Sequence, residues 1–173
     1  MSELRYLNLL LGDQLDNESL IFNDFYPQHD RLWMAEVSAE STEYLSSKQR
    51  TVLFLSAMRH FAEKLKTDNY PLIYWTLSDK KSSFPDALSA TLKHDSFKKI
   101  RCVLPGDVRV MNEIQQCAND VDIEIEWLAD QHFISHKGEF KAWLGERKQP
   151  RMEFWYRQLR KSRKILMDNE QPL

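Results

Sequence analysis

Five short apolar runs, each set apart from the next by a longer segment, constrain this chain more than any other feature. Tyr6–Leu11 is nearly continuous in hydrophobic character, and Leu32–Val37, Leu72–Leu77, Ile100–Leu104 and Ile123–Leu128 are further short, mainly apolar runs. A strand with one wet face alternates apolar and polar residues, whereas a strand covered on both faces reads as a continuous run. The runs therefore predict a sheet buried on both sides. Between them the period lengthens to that of a helix. Phe54, Met58, Phe61 and Leu65, spaced i, i+4, i+7, i+11, predict a helix over 46–67. Phe84, Ala87, Leu88 and Leu92 predict a second, with Ser83 as its N-cap. Val110, Ile114, Cys117, Ala118 and Val121 predict a third, behind Pro105-Gly106 and capped by Asp107. Phe140, Trp143 and Leu144 predict a short fourth. Met152, Trp155, Tyr156 and Leu159 predict a fifth, begun just after Pro150.

Strands alternating with helices give βαβ units joined by crossovers. The expected fold is α/β, a Rossmann-like open, mostly parallel five-stranded sheet with helices on both faces. Residues 13–30 carry no helical stripe and read as a long loop with at most one turn. A change of character near residue 147 divides the chain into an α/β domain, 1–146, and a basic aromatic helix within 147–173. A length of 173 residues with 42% hydrophobic composition suffices for one sizeable core. Mean hydropathy is -0.57 and no apolar run reaches membrane-spanning length. The opening MSELRYLNLLLGDQLD lacks the basic start and small-residue cleavage site of a signal peptide, so a cytoplasmic protein with no membrane partner is expected.

Familiar catalytic signatures are missing from the sequence: no G-x-G-x-x-G, no G-x-x-x-x-G-K, no G-x-S-x-G. No catalytic residue is assigned. Cys102 lies in an apolar run and Cys117 on an apolar stripe, which marks both as core residues. His132 and His136 have helical metal-ligand spacing but no third ligand, so no metal site is assigned. An open α/β sheet binds ligands at the carboxyl ends of its strands. Gly12-Asp13-Gln14-Leu15 stands at the first of these ends, where a tight turn would carry an anion and an amide. A ligand site and an Asx-type turn are both compatible with that turn. Glu36, at the tip of the second run, could bind a ligand or cap a loop. Lys48 and Arg50 open the long helix against its macrodipole, which favours a ligand or partner role.

Charge is unevenly spread. Residues 1–50 hold four basic and nine acidic side chains, while Arg147–Lys164 holds eight basic and one acidic. Arg151, Phe154, Trp155 and Arg157 lie in the densest part of that basic stretch. Arginines interleaved with aromatics suit a protein interface or nucleic acid. The marked apolar stripe favours protein, with any contact to DNA indirect or weak.

Taken in order, LLLGDQLD (9–16), MAEV (34–37), KQR (48–50), LSAMRHFAEKL (55–65), PGDVRV (105–110), FISHKGEFKAW (133–143), RMEFWYR (151–157) and LMD (166–168) resemble the deoxyribodipyrimidine photolyase-related family of iron–sulfur bacterial cryptochromes and photolyases. The resemblance implies a photolyase N-terminal domain that binds an antenna chromophore, 6,7-dimethyl-8-ribityllumazine. It implies Gly12, Asp13, Gln14, Leu15, Glu36 and Lys48 as the chromophore pocket. FAD, the iron–sulfur cluster and the lesion-binding surface belong, in full-length relatives, to a helical domain that follows. Those relatives repair (6-4) photoproducts with blue light or signal as cryptochromes.

This sequence stops at Gln171-Pro172-Leu173 and has two cysteines, too few for a four-cysteine cluster. A truncated product, an excised piece and a subunit that needs a partner all fit. No repair activity is expected of this chain alone. The basic helix is expected to dock a flavin domain in trans or to support a homo-oligomer. Ser47 stands where relatives usually carry histidine. The alternative function is a ligand-free interaction module that uses its basic C-terminal helix on a partner protein or DNA.

Overall fold

A computed structural model describes residues 4–42, 46–168 and 171–172. The five apolar runs form strands β1 (Leu4–Leu9), β2 (Arg31–Ala35), β3 (Leu72–Trp75), β4 (Phe97–Val103) and β5 (Glu124–Leu128). They make one sheet in the order β3-β2-β1-β4-β5, with every pair parallel. Leu9 is in register with Trp33 on one side and Cys102 on the other. Strand order reverses direction at β1, which places the topological switch point between β1 and β4.

The central parts of β1, β2 and β4 are mainly apolar and buried because helices cover both faces, while Arg5, Lys98, Lys99, Glu124 and Glu126 lie toward strand starts and the sheet edge. On one face Leu7, Leu9, Trp33, Ile100 and Cys102 meet helices α3 (Phe84–His94) and α4 (Val108–Asp120). On the other, Leu10, Leu32 and Met34 meet α2 (Lys48–Thr67) through Met58, Phe61, Ala62 and Leu65. A four-residue helix, α1 (Ala39–Thr42), precedes α2. Ser47, Ser83 and Asp107 cap α2, α3 and α4 by accepting from Arg50 N, Asp86 N and Arg109 N. Each satisfies one of the amides a helix start leaves without a partner. Both cysteines are free and buried in the core.

Residues 13–30 form a loop whose one regular feature is a 3-10 turn at Leu20–Phe22, which buries Ile21. Asp30 is fully buried and ties the loop's end to β1. Its carboxylate accepts from Arg5 at 2.9 and 2.6 Å, from Tyr6 N at 3.2 Å and from Tyr26 N at 2.8 Å. Burial pushes the Asp30 carboxyl up, and these bonds more than reverse the effect, leaving it below the ordinary range.

The chain divides into two compact units, 1–128 and 129–173, ahead of the change in composition at residue 147. The second unit holds α5 (Glu139–Leu144), α6 (Met152–Arg163) and a short antiparallel pair, β6 (Met167–Asp168) and β7 (Gln171–Pro172). Phe140, Trp143 and Trp155 cluster there, with ring centroids 5.3 to 5.7 Å apart. Arg163 joins α6 to the start of α5, donating to Glu139 at 2.6 Å and to Ile134 O at 3.1 Å. Among the described residues no helix is long and apolar enough to cross a membrane.

Candidate functional site

The carboxyl ends of β1, β2 and β4 open into a cavity of about 450 Å³, within the size range of small-molecule sites. Leu11, Ala35, Val37, Phe54, Met58 and Phe84 supply apolar wall. Asp13, Glu36, Glu40, Asp107, Arg50 and Thr51 supply the polar part. A concave apolar site with a few polar groups suits an organic ligand, with the polar groups fixing its orientation.

Gly12 leaves room for side chains of α2. A Cβ there would stand 2.5 Å from Phe54 Cζ and 2.9 Å from Met58 Sδ, so α2 lies directly on the turn that ends β1. That close approach presents Asp13 to the cavity. Asp13 is exposed, and its carboxylate accepts no hydrogen bond among the described residues. It is thus available to a ligand that donates N–H or O–H.

Glu36 lies in the wall, yet its carboxylate is already committed. Arg59 donates to both oxygens, at 2.7 and 2.8 Å, Tyr74 Oη donates at 2.5 Å and Leu77 N at 3.0 Å. The side chain is fully buried while that of Arg59 is half exposed. Burial pushes the Glu36 carboxyl up, and the four bonds outweigh it, holding the group below the usual carboxylate range. Burial and the bond to Glu36 together push the Tyr74 phenol up. Of the two roles open to Glu36 in the sequence, its contacts here match the loop-capping one: it ties β2, α2, β3 and the turn after β3 into a fixed wall.

The other pocket residues fall in different places. Gln14 turns toward β4, donating from Nε2 to Val103 O and Leu104 O at 3.3 Å each, and its buried Oε1 has no donor among the described residues. Leu15 is half-buried and packs against the core cluster to which α2 contributes. Lys48 is exposed and off the cavity lining. The lining face of α2 runs instead through Arg50, Thr51, Phe54, Leu55 and Met58, spaced i, i+1, i+4, i+5, i+8. Arg50 is one of the two cations that open the helix against its macrodipole, and helical phase from Met58 could have found Thr51 as well. Glu40 carried no such signal, because the Arg109 that bonds it at 2.8 Å lies 69 residues away, whereas Asp107 was legible as the cap that opens α4.

Arg151, just before α6, and Phe154 and Arg157 within it are exposed. Trp155 is not: it is buried against Phe140 and Trp143, as expected of the largest apolar side chain on an amphipathic helix. Arg157 pairs with Glu153 at 2.6 Å. His132 and His136 both precede α5, and no cluster of three metal-ligating side chains occurs among the described residues.

An open, all-parallel five-stranded sheet with helices on both faces is a Rossmann-like α/β domain, and the cavity lies at the strand ends where such folds place ligands. Within that class, the chain is a member of the deoxyribodipyrimidine photo-lyase-related protein family, which it matches over residues 8–173. It is 32% identical over 169 residues to a (6-4) photolyase of Agrobacterium fabrum, an alignment covering 96% of this chain and 33% of the relative. The chain thus spans about a third of the length of the curated relative it matches.

Proposed function

We propose that this chain is the chromophore-binding, light-harvesting domain of a photolyase- or cryptochrome-related protein, and that its cavity holds 6,7-dimethyl-8-ribityllumazine. The observation that carries this reading is the cavity at the switch point, apolar-walled and furnished with an uncommitted carboxylate at Asp13. Its volume and donor set fit a fused heterocycle bearing a hydroxylated chain. Asp13 would accept from the ligand, Arg50 and Thr51 would donate to it, and Phe54, Met58 and Phe84 would exclude water from the ring. Glu36 would act one step back, holding the wall in shape. When bound, such a chromophore absorbs blue light and passes excitation to a flavin. Light-driven DNA repair or blue-light signalling would then be the work of a larger assembly that supplies the flavin. Membership of the family and the (6-4) photolyase relative support that context.

Fluorescence titration of the protein with 6,7-dimethyl-8-ribityllumazine tests the reading. Saturable binding is expected. Asp13→Ala removes an exposed side chain without a partner, so folding should survive while affinity falls about tenfold or more, as for loss of a hydrogen bond to a charged group. Absence of binding by the folded wild type would reject the proposal.

A further inference from the structure

We infer that the cavity is walled to keep easily oxidised side chains off an excited ligand, with Phe84 as the spacer in front of Trp33. The inference rests on the chromophore-binding reading and adds to it how this chain's own residues keep absorbed light from being lost.

A light-harvesting site has a competing reaction to exclude. An indole or phenol in contact with an excited fused heterocycle gives up one electron, becoming a radical cation, and takes the same electron back as the energy leaves as heat. Nothing is consumed, but the excitation is gone before it can pass to an acceptor. The rate of such a step falls steeply with distance, so one interposed side chain matters.

Among the described residues the lining holds no tryptophan, tyrosine, cysteine or histidine. Yet Trp33, Tyr74 and Trp75 all lie in strands that lead toward it. Its apolar wall is made of aliphatic groups, the thioether of Met58 and the phenyl rings of Phe54 and Phe84. All of these are harder to oxidise than an indole or a phenol. Trp33, Ala35 and Val37 belong to the core that meets α3, and only the two small ones reach the cavity. Trp33 is buried, its ring centroid 6.4 Å from that of Phe84, which borders the cavity. Both nearby indole N–H groups are fixed on one buried hydroxyl: Trp33 and Trp75 donate to Thr91 Oγ1 at 3.0 and 2.9 Å. Thr91 stands two turns along α3 from Phe84, about 10 Å at the helical rise, so the tether lies away from the cavity. Tyr74 is set behind the wall as well, its phenol donating to the lining residue Glu36.

The test reads the fluorescence lifetime of bound 6,7-dimethyl-8-ribityllumazine alongside its affinity. In the wild type the lifetime should stay within about twofold of that of the free compound, and Trp33→Phe should leave it unchanged. Phe54→Trp places an indole at a partly exposed position of the wall, where a larger ring has room. It should shorten the lifetime at least fivefold while the compound still binds. Phe84→Leu thins the spacer and should shorten it at least twofold, with Trp33→Phe in the same chain restoring the wild-type value. A strongly quenched lifetime in the wild type overturns the inference, as does an unshortened one in Phe54→Trp with the compound bound; the chromophore reading survives both. An unshortened lifetime in Phe84→Leu overturns the assignment to Phe84. Failure of the compound to bind the wild type removes the chromophore reading and this inference with it.

Discussion

Replacing Glu36 by glutamine keeps the side chain's shape and removes its charge, which isolates what the ion pair with Arg59 contributes. Arg59 is half exposed, so solvent screens the pair, and the expected loss at neutral pH is about 1–2 kcal/mol. The pH dependence has a definite sign. A carboxyl held below its ordinary value in the folded state contributes stability above the unfolded value, about 4.3 for Glu, and loses it as pH falls through the folded value. Urea midpoints read by tryptophan fluorescence should therefore drop on acidification below about pH 4.5, and drop less steeply in Glu36→Gln. Asp30 is depressed in the same way and persists in the variant, so some acid slope remains. Equal slopes in the two proteins would count against the ion pair. In the sequence, Glu36 could be read either as ligand acceptor or as cap, because the partners that decide between these roles, Arg59 and Tyr74, lie 23 and 38 residues away.

Helix α2 shows how an element can be legible and still be misjudged in part. Phe54, Met58, Phe61 and Leu65 share a face, and their spacing located the helix. Met58, Phe61 and Leu65 are buried on the sheet, but Phe54 is 39% exposed. The first turns of α2 run past the strand ends and border the cavity, so Phe54 has a ligand space where its neighbours have a core. Periodicity reports which face a residue occupies, not where along the helix the sheet stops. The strands were easier, since burial on both faces of the sheet gathers apolar residues into short runs, and the caps at Ser83 and Asp107 declared themselves by residue type. Gly12→Ala tests how closely α2 packs on the turn after β1. The new methyl would force Phe54 and Met58 aside, an overpacking that costs about 1–3 kcal/mol. Lumazine affinity should fall with it, because both displaced side chains line the cavity. Thermal unfolding and the titration together would check this. Unchanged stability and affinity would show that the turn relaxes freely.

The two core clusters and every lining residue of the cavity lie at or before Leu128. The second unit has a separate and much smaller apolar centre in Phe140, Trp143 and Trp155, supplemented by the pairing of Arg163 with Glu139. A unit of this size buries little surface and opens at low cost. Truncating its central ring should therefore undo it without touching the site. Removal of a buried tryptophan side chain costs about 3–5 kcal/mol, more than one aromatic cluster of this kind can lose and stay ordered. In Trp155→Ala, hydrogen exchange is expected to accelerate through α5 and α6, while amides of β1 and β4 keep their protection. Chromophore affinity should stay within about twofold of wild type, a change of less than 1 kcal/mol. Loss of protection in β1 and β4 together with α5 and α6 would mean that the molecule opens as one cooperative body. In that case the basic helix would belong to the fold that shapes the cavity, rather than to a separately stable surface left for a partner.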